Sequence, residues 1–199
     1  MSREAIQKTI EELLRAPAEM KNKLPRALEE IDAYGVGRAL DENPDLMFRM
    51  LSQLRRADAA RVLRDLPGAA DRFSDVLWQG IGSRAGQSPA MNALLARAER
   101  AIHVNIEASD SPFQCHFVVQ NGTIAGGSGL LHFKDEDFRF MGPTETLVGL
   151  FIGDLPLMLS NLQLQTAGHS GWMSRVGPIM REVTRLLKGQ DGSKTGSGI

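Results

Sequence analysis

Along the first hundred positions apolar residues recur every three or four residues, and from about Ala101 they recur every second one. The chain therefore predicts a helical half followed by a sheet-forming half. Ser2 is placed to cap a helix carrying Ile6, Ile10, Leu13 and Leu14, which Pro17 limits. Pro25 reads as the opening of a second helix with Leu28 and Ile31, ending near Tyr34-Gly35. Asn43-Pro44 combines a capping side chain with a first-turn proline ahead of the stripe Leu46, Met47, Met50, Leu51 and Leu54. Asp58 is the expected cap of a helix with Val62, Leu63 and Leu66, stopped at Pro67-Gly68. Phe73, Val76, Leu77 and Ile81 predict the next, with Gly82 as its end, and Ser88-Pro89 starts another through Met91, Leu94, Leu95 and Ala98.

Ile102, Val104 and Ile106 alternate with His103, Asn105 and Glu107, the pattern of a strand with one buried face. Phe113, Cys115, Phe117 and Val119 alternate with Gln114, His116 and Gln120 in the same way, and Asn121-Gly122 suits a tight hairpin turn. Residues 123–133 read as the returning strand, with a bulge or bend at Gly126, Gly127 and Gly129. A polar turn, Lys134 to Asp137, leads into a fourth strand ending at Met141. Pro143-Thr144 opens a helix through Leu147, Val148, Leu150, Phe151 and Ile152, which Gly153 ends, and Pro156 a short helical turn. Leu162 and Leu164 predict a fifth strand, and a last helix runs from about Ser170 to Lys188 with a kink or division at Pro178. Three regions follow: helical 1–100, α+β 101–188, and a flexible tail 189–199 that lacks apolar anchors.

Composition narrows the function classes. The 199 residues are 42% hydrophobic and 24% charged, the balance of a globular protein, and the net charge of −1 offers no long-range attraction for nucleic acid. The amino terminus carries charges every few residues, unlike a signal peptide, and no apolar stretch is long enough for a transmembrane segment. One cysteine, Cys115, excludes an internal disulfide and fits a reducing compartment, so the expected location is cytoplasmic.

From Ile102 to Leu187 the order of local motifs resembles the sterol carrier protein 2 (SCP-2) family. The hairpin VVQNGTIAGG precedes an acidic turn and strand, KDEDFRFMG; a glycine-terminated helix, ETLVGLFIGD, and a short apolar helix precede a strand, NLQLQTAG, and an apolar final helix. The resemblance implies a five-stranded, mostly antiparallel sheet covered on one side by helices that enclose a cavity for acyl chains, sterols or related lipids. It places the candidate ligand lining at Phe140, Leu150, Phe151, Leu159, Met173, Val176 and Met180. The same residues equally suit a plain packed core. His169-Ser170-Gly171 departs from the family after the last strand, and the first hundred residues have no counterpart in its minimal domain.

Catalytic and metal chemistry finds little support. His103 and His116 stand on consecutive strands and would meet across a ladder, but no further ligand accompanies them at metal-site spacing. Cys115 sits on the apolar side of its strand, and His116 next to it points to the opposite face. AGGSG runs on into a strand, whereas a phosphate loop needs a helix start. Asp135, Glu136 and Asp137 read as an exposed turn. Arg55, Arg56, Arg61 and Arg64 make a basic helical patch, a solvated face or a surface for the phosphates of an acyl-CoA or an acidic partner. The expectation is a binding protein, not an enzyme, with no cofactor, that presents a hydrophobic small molecule. The other reading is an accessory subunit of an enzyme complex that docks on a protein partner through its helical half.

Overall fold

The computed structural model describes residues 2–153, 163–168 and 171–190, the side chains of Pro67 and Trp172 excepted. Helices α1 (Arg3–Arg15), α2 (Met20–Tyr34), α3 (Val36–Glu42), α4 (Leu46–Arg56), α5 (Ala59–Asp65), α6 (Pro67–Ala85) and α7 (Pro89–Leu95) precede every strand. Strands β1 (Ile102–Ala108), β2 (Gln114–Gln120), β3 (Thr123–Ser128), β4 (Phe138–Gly142) and β5 (Gln165–Gly168) form one sheet in the order β3-β2-β1-β4-β5. Helix α8 (Thr144–Ile152) lies between β4 and β5, and α9 (Gly171–Leu187) follows. The sheet is mixed: β1 and β4 run parallel, and the other three pairings are antiparallel. The α+β class and the five strands agree with the alternation in the sequence.

The caps behave as expected at three places. Ser2 Oγ accepts from the Ala5 amide at 3.2 Å, Asp58 Oδ1 from Arg61 at 3.2 Å, and Ser88 Oγ from Met91 at 3.2 Å. Four boundaries differ, each because packing outweighs a local signal. Helix α2 begins five residues before Pro25, since Met20 and Leu24 are fully buried and the helix tolerates one missing donor. Asn43 does not start α4; its side chain donates to the Ala39 carbonyl and closes α3, a helix the periodicity did not predict. Pro67 opens α6, which continues through Gly82 to Ala85. A Cβ at Gly80 would stand 2.9 Å from Leu40 Cδ1, so glycine there lets α3 lie close. Helix α9 passes through Pro178 undivided.

The third strand is shorter than predicted and carries no bulge. Residues 123–128 pair in unbroken register with β2, from Gln120↔Thr123 to Cys115↔Ser128. Its glycines answer to packing: a Cβ on Gly126 would run into the His116 carbonyl oxygen and lie 2.7 Å from the Trp78 ring, so glycine lets β3 pair with β2 beneath α6. At the hairpin tip Asn121 and Gly122 have φ of +52° and +74°, as the turn requires. The fifth strand begins at Gln165, after buried Leu164; Leu162 and the turn expected at Pro156 lie outside the described residues, as does the tail from residue 191.

Residues 129–137 cross the outer face of the sheet to reach β4. Asn105, fully buried, pins this crossover: its Nδ2 donates to the Leu131 carbonyl and Glu136, and its Oδ1 accepts from the Leu131 amide. Arg139 donates to Glu136 and Glu107, and the Asp137 carboxylate meets the His103 amide and ring. Glu136 and Asp137 therefore belong to a partly buried network; only Asp135 of the acidic trio is exposed. His103 pairs with Val118, and His116 with Asn105, so the two imidazoles are not opposite each other.

One apolar cluster runs from Ile6 in α1 to Leu187 in α9. The inner face of the sheet is covered by α6 over β2 and β3 and by α8 over β1 and β4, with α4 and α9 packed behind α8.

Candidate functional site

Two places answer to the expectation of a ligand site, and the first is the interior between sheet and helices. Phe117 of β2, Phe140 of β4 and Phe151 of α8 all point into it and are buried. Trp78 of α6 stands between sheet and helix: its ring centroid is 4.9 Å from that of Phe117 and 6.0 Å, edge-on, from that of Phe151. A residue of the helical half thus stands between β2 and α8. The final helix packs chiefly against α6, α7 and α8; on it Val176 and Met180 are buried and Met173 is half-buried. Leu150 is buried on α8, and Phe140 packs edge-on against Phe138 at 4.9 Å. Leu159 lies outside the described residues. Of the expected lining residues, Phe140 stands on β4, Leu150 and Phe151 on α8, and Met173, Val176 and Met180 on α9.

Cys115 shares this interior. Burial pushes its thiol up to about 12, while the nearby Trp78 indole N–H, which lacks a full hydrogen bond, pulls weakly the other way. The group is a neutral filler.

The second place is an open groove of about 830 Å³. Helix α4 forms one wall with Phe48, Arg49, Ser52, Gln53, Arg55 and Arg56, a single broad face at helical spacing. Leu14 of α1 and Ile152 of α8 supply the apolar floor, and Glu145 of α8 stands at the side. Gln53 is held by donation to the Leu14 carbonyl at 2.6 Å. Lys188, just past α9, holds its ammonium 5.5 Å from the Phe48 ring centroid. Glu145 accepts from the Ala59 amide at 2.7 Å, at the start of α5, and lies 3.9 Å from Arg55. Desolvation raises its pKa, opposed by that amide and by Arg55.

The basic patch is thereby divided. Arg55 and Arg56 line the groove, whereas Arg64 of α5 donates to the Asp110 carbonyl at 2.7 Å. Phe48, Arg49 and Gln53 carry no sequence signal for a site, since a groove between α1, α4 and α8 is a property of the assembled fold. Among the described residues there is no cluster of metal-binding side chains and no helix long and apolar enough to cross a membrane.

No family model and no curated protein matches the chain. Solved structures similar to it include a UbiJ-SCP2 ubiquinone synthesis protein, with 13% identity, TM-score 0.43, 59% of this chain and 96% of that one. A conserved hypothetical protein of Thermus thermophilus, titled a sterol carrier protein candidate, matches at 16% identity and TM-score 0.44 over 62% of this chain and 93% of its own. Apo sterol carrier protein 2 of Yarrowia lipolytica matches at 15% identity and TM-score 0.38 over 60% and 93%.

Proposed function

We propose that this protein binds or presents a hydrophobic ligand without transforming it, and that the ligand enters through the groove between α4 and α8. The observation that carries this reading is the groove itself, about 830 Å³ of open space whose apolar floor continues into the core beneath α8. Removal of apolar ligand surface from water drives binding, at roughly 25 cal/mol per Å² before ordering costs. Phe151 and Leu150 adjoin Ile152 on α8, so a long tail would reach the interior if Trp78 gave way. Fluorescent fatty-acid titration of the full chain, with native mass spectrometry of protein from its own host, tests the reading. Saturable binding weakened by Phe48→Asp supports it; absence of any bound or bindable apolar molecule sinks it.

The accessory-subunit reading rests on a different feature. Phe133 is 64% exposed, the one large hydrophobic side chain so placed among the described residues, and it stands on the crossover that Asn105 pins. A partner would then meet the outer side of the sheet and not the helical half. If affinity purification from the host recovers the same subunit with Phe133→Ser as with the parent, this version falls.

A further inference from the structure

We infer that the groove between α4 and α8 takes a phosphorylated amphiphile, with its phosphate on Arg49 and Arg56 and its chain along Phe48, Leu14 and Ile152; the inference rests on the ligand-binding reading above. At the groove the described cations Arg49, Arg55, Arg56 and Lys188 stand against the carboxylates Glu145 and Asp45, a surplus of two positive charges. That surplus matches a phosphate dianion better than a carboxylate, and the planar guanidinium fork fits phosphate oxygens in pairs.

The two acids do not cancel the cations. One oxygen of Glu145 is committed to the Ala59 amide at 2.7 Å, and the other meets Arg55 at 3.9 Å. Among the described residues Arg49 has Asp45 as its ion-pair partner, at 3.9 Å, with both side chains nearly half exposed, a contact of little strength. Arg56 is exposed and makes no ion pair among the described residues. Lys188 above Phe48 brings a further cation to the side of the apolar wall. The cations and the apolar residues therefore sit side by side on one face, the arrangement an anionic head with an apolar tail requires.

Isothermal titration of the full chain with decyl phosphate, decanol and inorganic phosphate tests this. Decyl phosphate should bind at least about tenfold more tightly than decanol, as expected for charge-assisted hydrogen bonds. The double variant Arg49→Gln/Arg56→Gln should lose most of that advantage and bind decanol unchanged. Both positions are exposed, and an unchanged circular dichroism spectrum and melting midpoint verify the fold. A Arg49→Lys/Arg56→Lys variant with intermediate affinity supports the guanidinium contribution. Equal affinity for decyl phosphate and decanol, or a folded double-glutamine variant that keeps the parent's preference, overturns the inference while the hydrophobic-ligand reading stands. Inorganic phosphate binding as tightly as decyl phosphate also overturns it, since the chain would then contribute nothing. Failure of decyl phosphate, decanol and fluorescent fatty acid alike removes the reading and the inference together.

Discussion

At the scale of single residues, the strongest expectations concern Cys115, Gly126 and Glu145. Cys115 is inaccessible and its thiol is neutral at any physiological pH, so a disulfide reagent should label it only after denaturant is added. Rapid stoichiometric labelling of the native protein would contradict the burial. Gly126→Ala forces a methyl group against the His116 carbonyl oxygen and the Trp78 ring and should destabilise by roughly 1 to 3 kcal/mol, measured by urea unfolding. Glu145 has a folded pKa above its unfolded value, because burial disfavours its charge. Its contribution to stability is therefore full below the unfolded pKa and is lost as pH rises through the folded one. Glu145→Gln, which keeps an acceptor for the Ala59 amide, should gain melting temperature relative to the parent as pH rises from the acidic carboxylate range towards neutrality. A difference that is flat or shrinks with pH would show that the carboxylate is not desolvated.

At the scale of elements, the question is whether the space between sheet and helices is filled. Trp78→Ala deletes the ring that α6 sets between Phe117 and Phe151 and should cost roughly 3 to 5 kcal/mol. If the variant folds, the vacated volume should bind a hydrophobic fluorophore more tightly than the parent does. No change in either quantity would mean that the ring is not a keystone of this layer. Val176 and Met173 give a paired contrast on α9. Val176 is fully buried, so Val176→Glu confines an unpaired carboxylate and should cost about 3 kcal/mol or more, or prevent folding. Met173 is half-buried, and the carboxylate of Met173→Glu reaches water at small cost. Equal melting temperatures for the two variants would point to a wet space around Val176.

At the scale of the whole molecule, helical half and sheet share one apolar cluster. Helix α6 is as much a part of the cover of the sheet as α8. Two contacts tie distant parts of the chain at helix ends: Asp110 serves the Thr144 amide at 2.8 Å at the start of α8, and Glu145 serves α5. Removal of residues 1–100 should therefore leave the sheet aggregation-prone, an outcome checked by size-exclusion chromatography. A monomeric, cooperatively melting fragment would show that the sheet stands without α6.

The alternation of Ile102–Ile106 and Phe113–Val119, the Asn121-Gly122 turn and the Ser2, Asp58 and Ser88 caps determined elements and turns from local chemistry alone. Each depends on the preferences of a few adjacent residues, which the sequence displays directly. What surrounds those elements was settled by tertiary packing. The sequence showed the apolar content of the interior but not that Trp78, far away in the chain, would fill it, because volume is shared among elements. It showed the arginines of α4 but not that α1 and α8 would turn their face into a groove. It showed Asn105 as a polar strand position, and only the crossover of residues 129–137 made that position a buried anchor. Hydrogen bonds and contacts between residues far apart in sequence leave no periodic trace, so the place of a site is decided when the layers close.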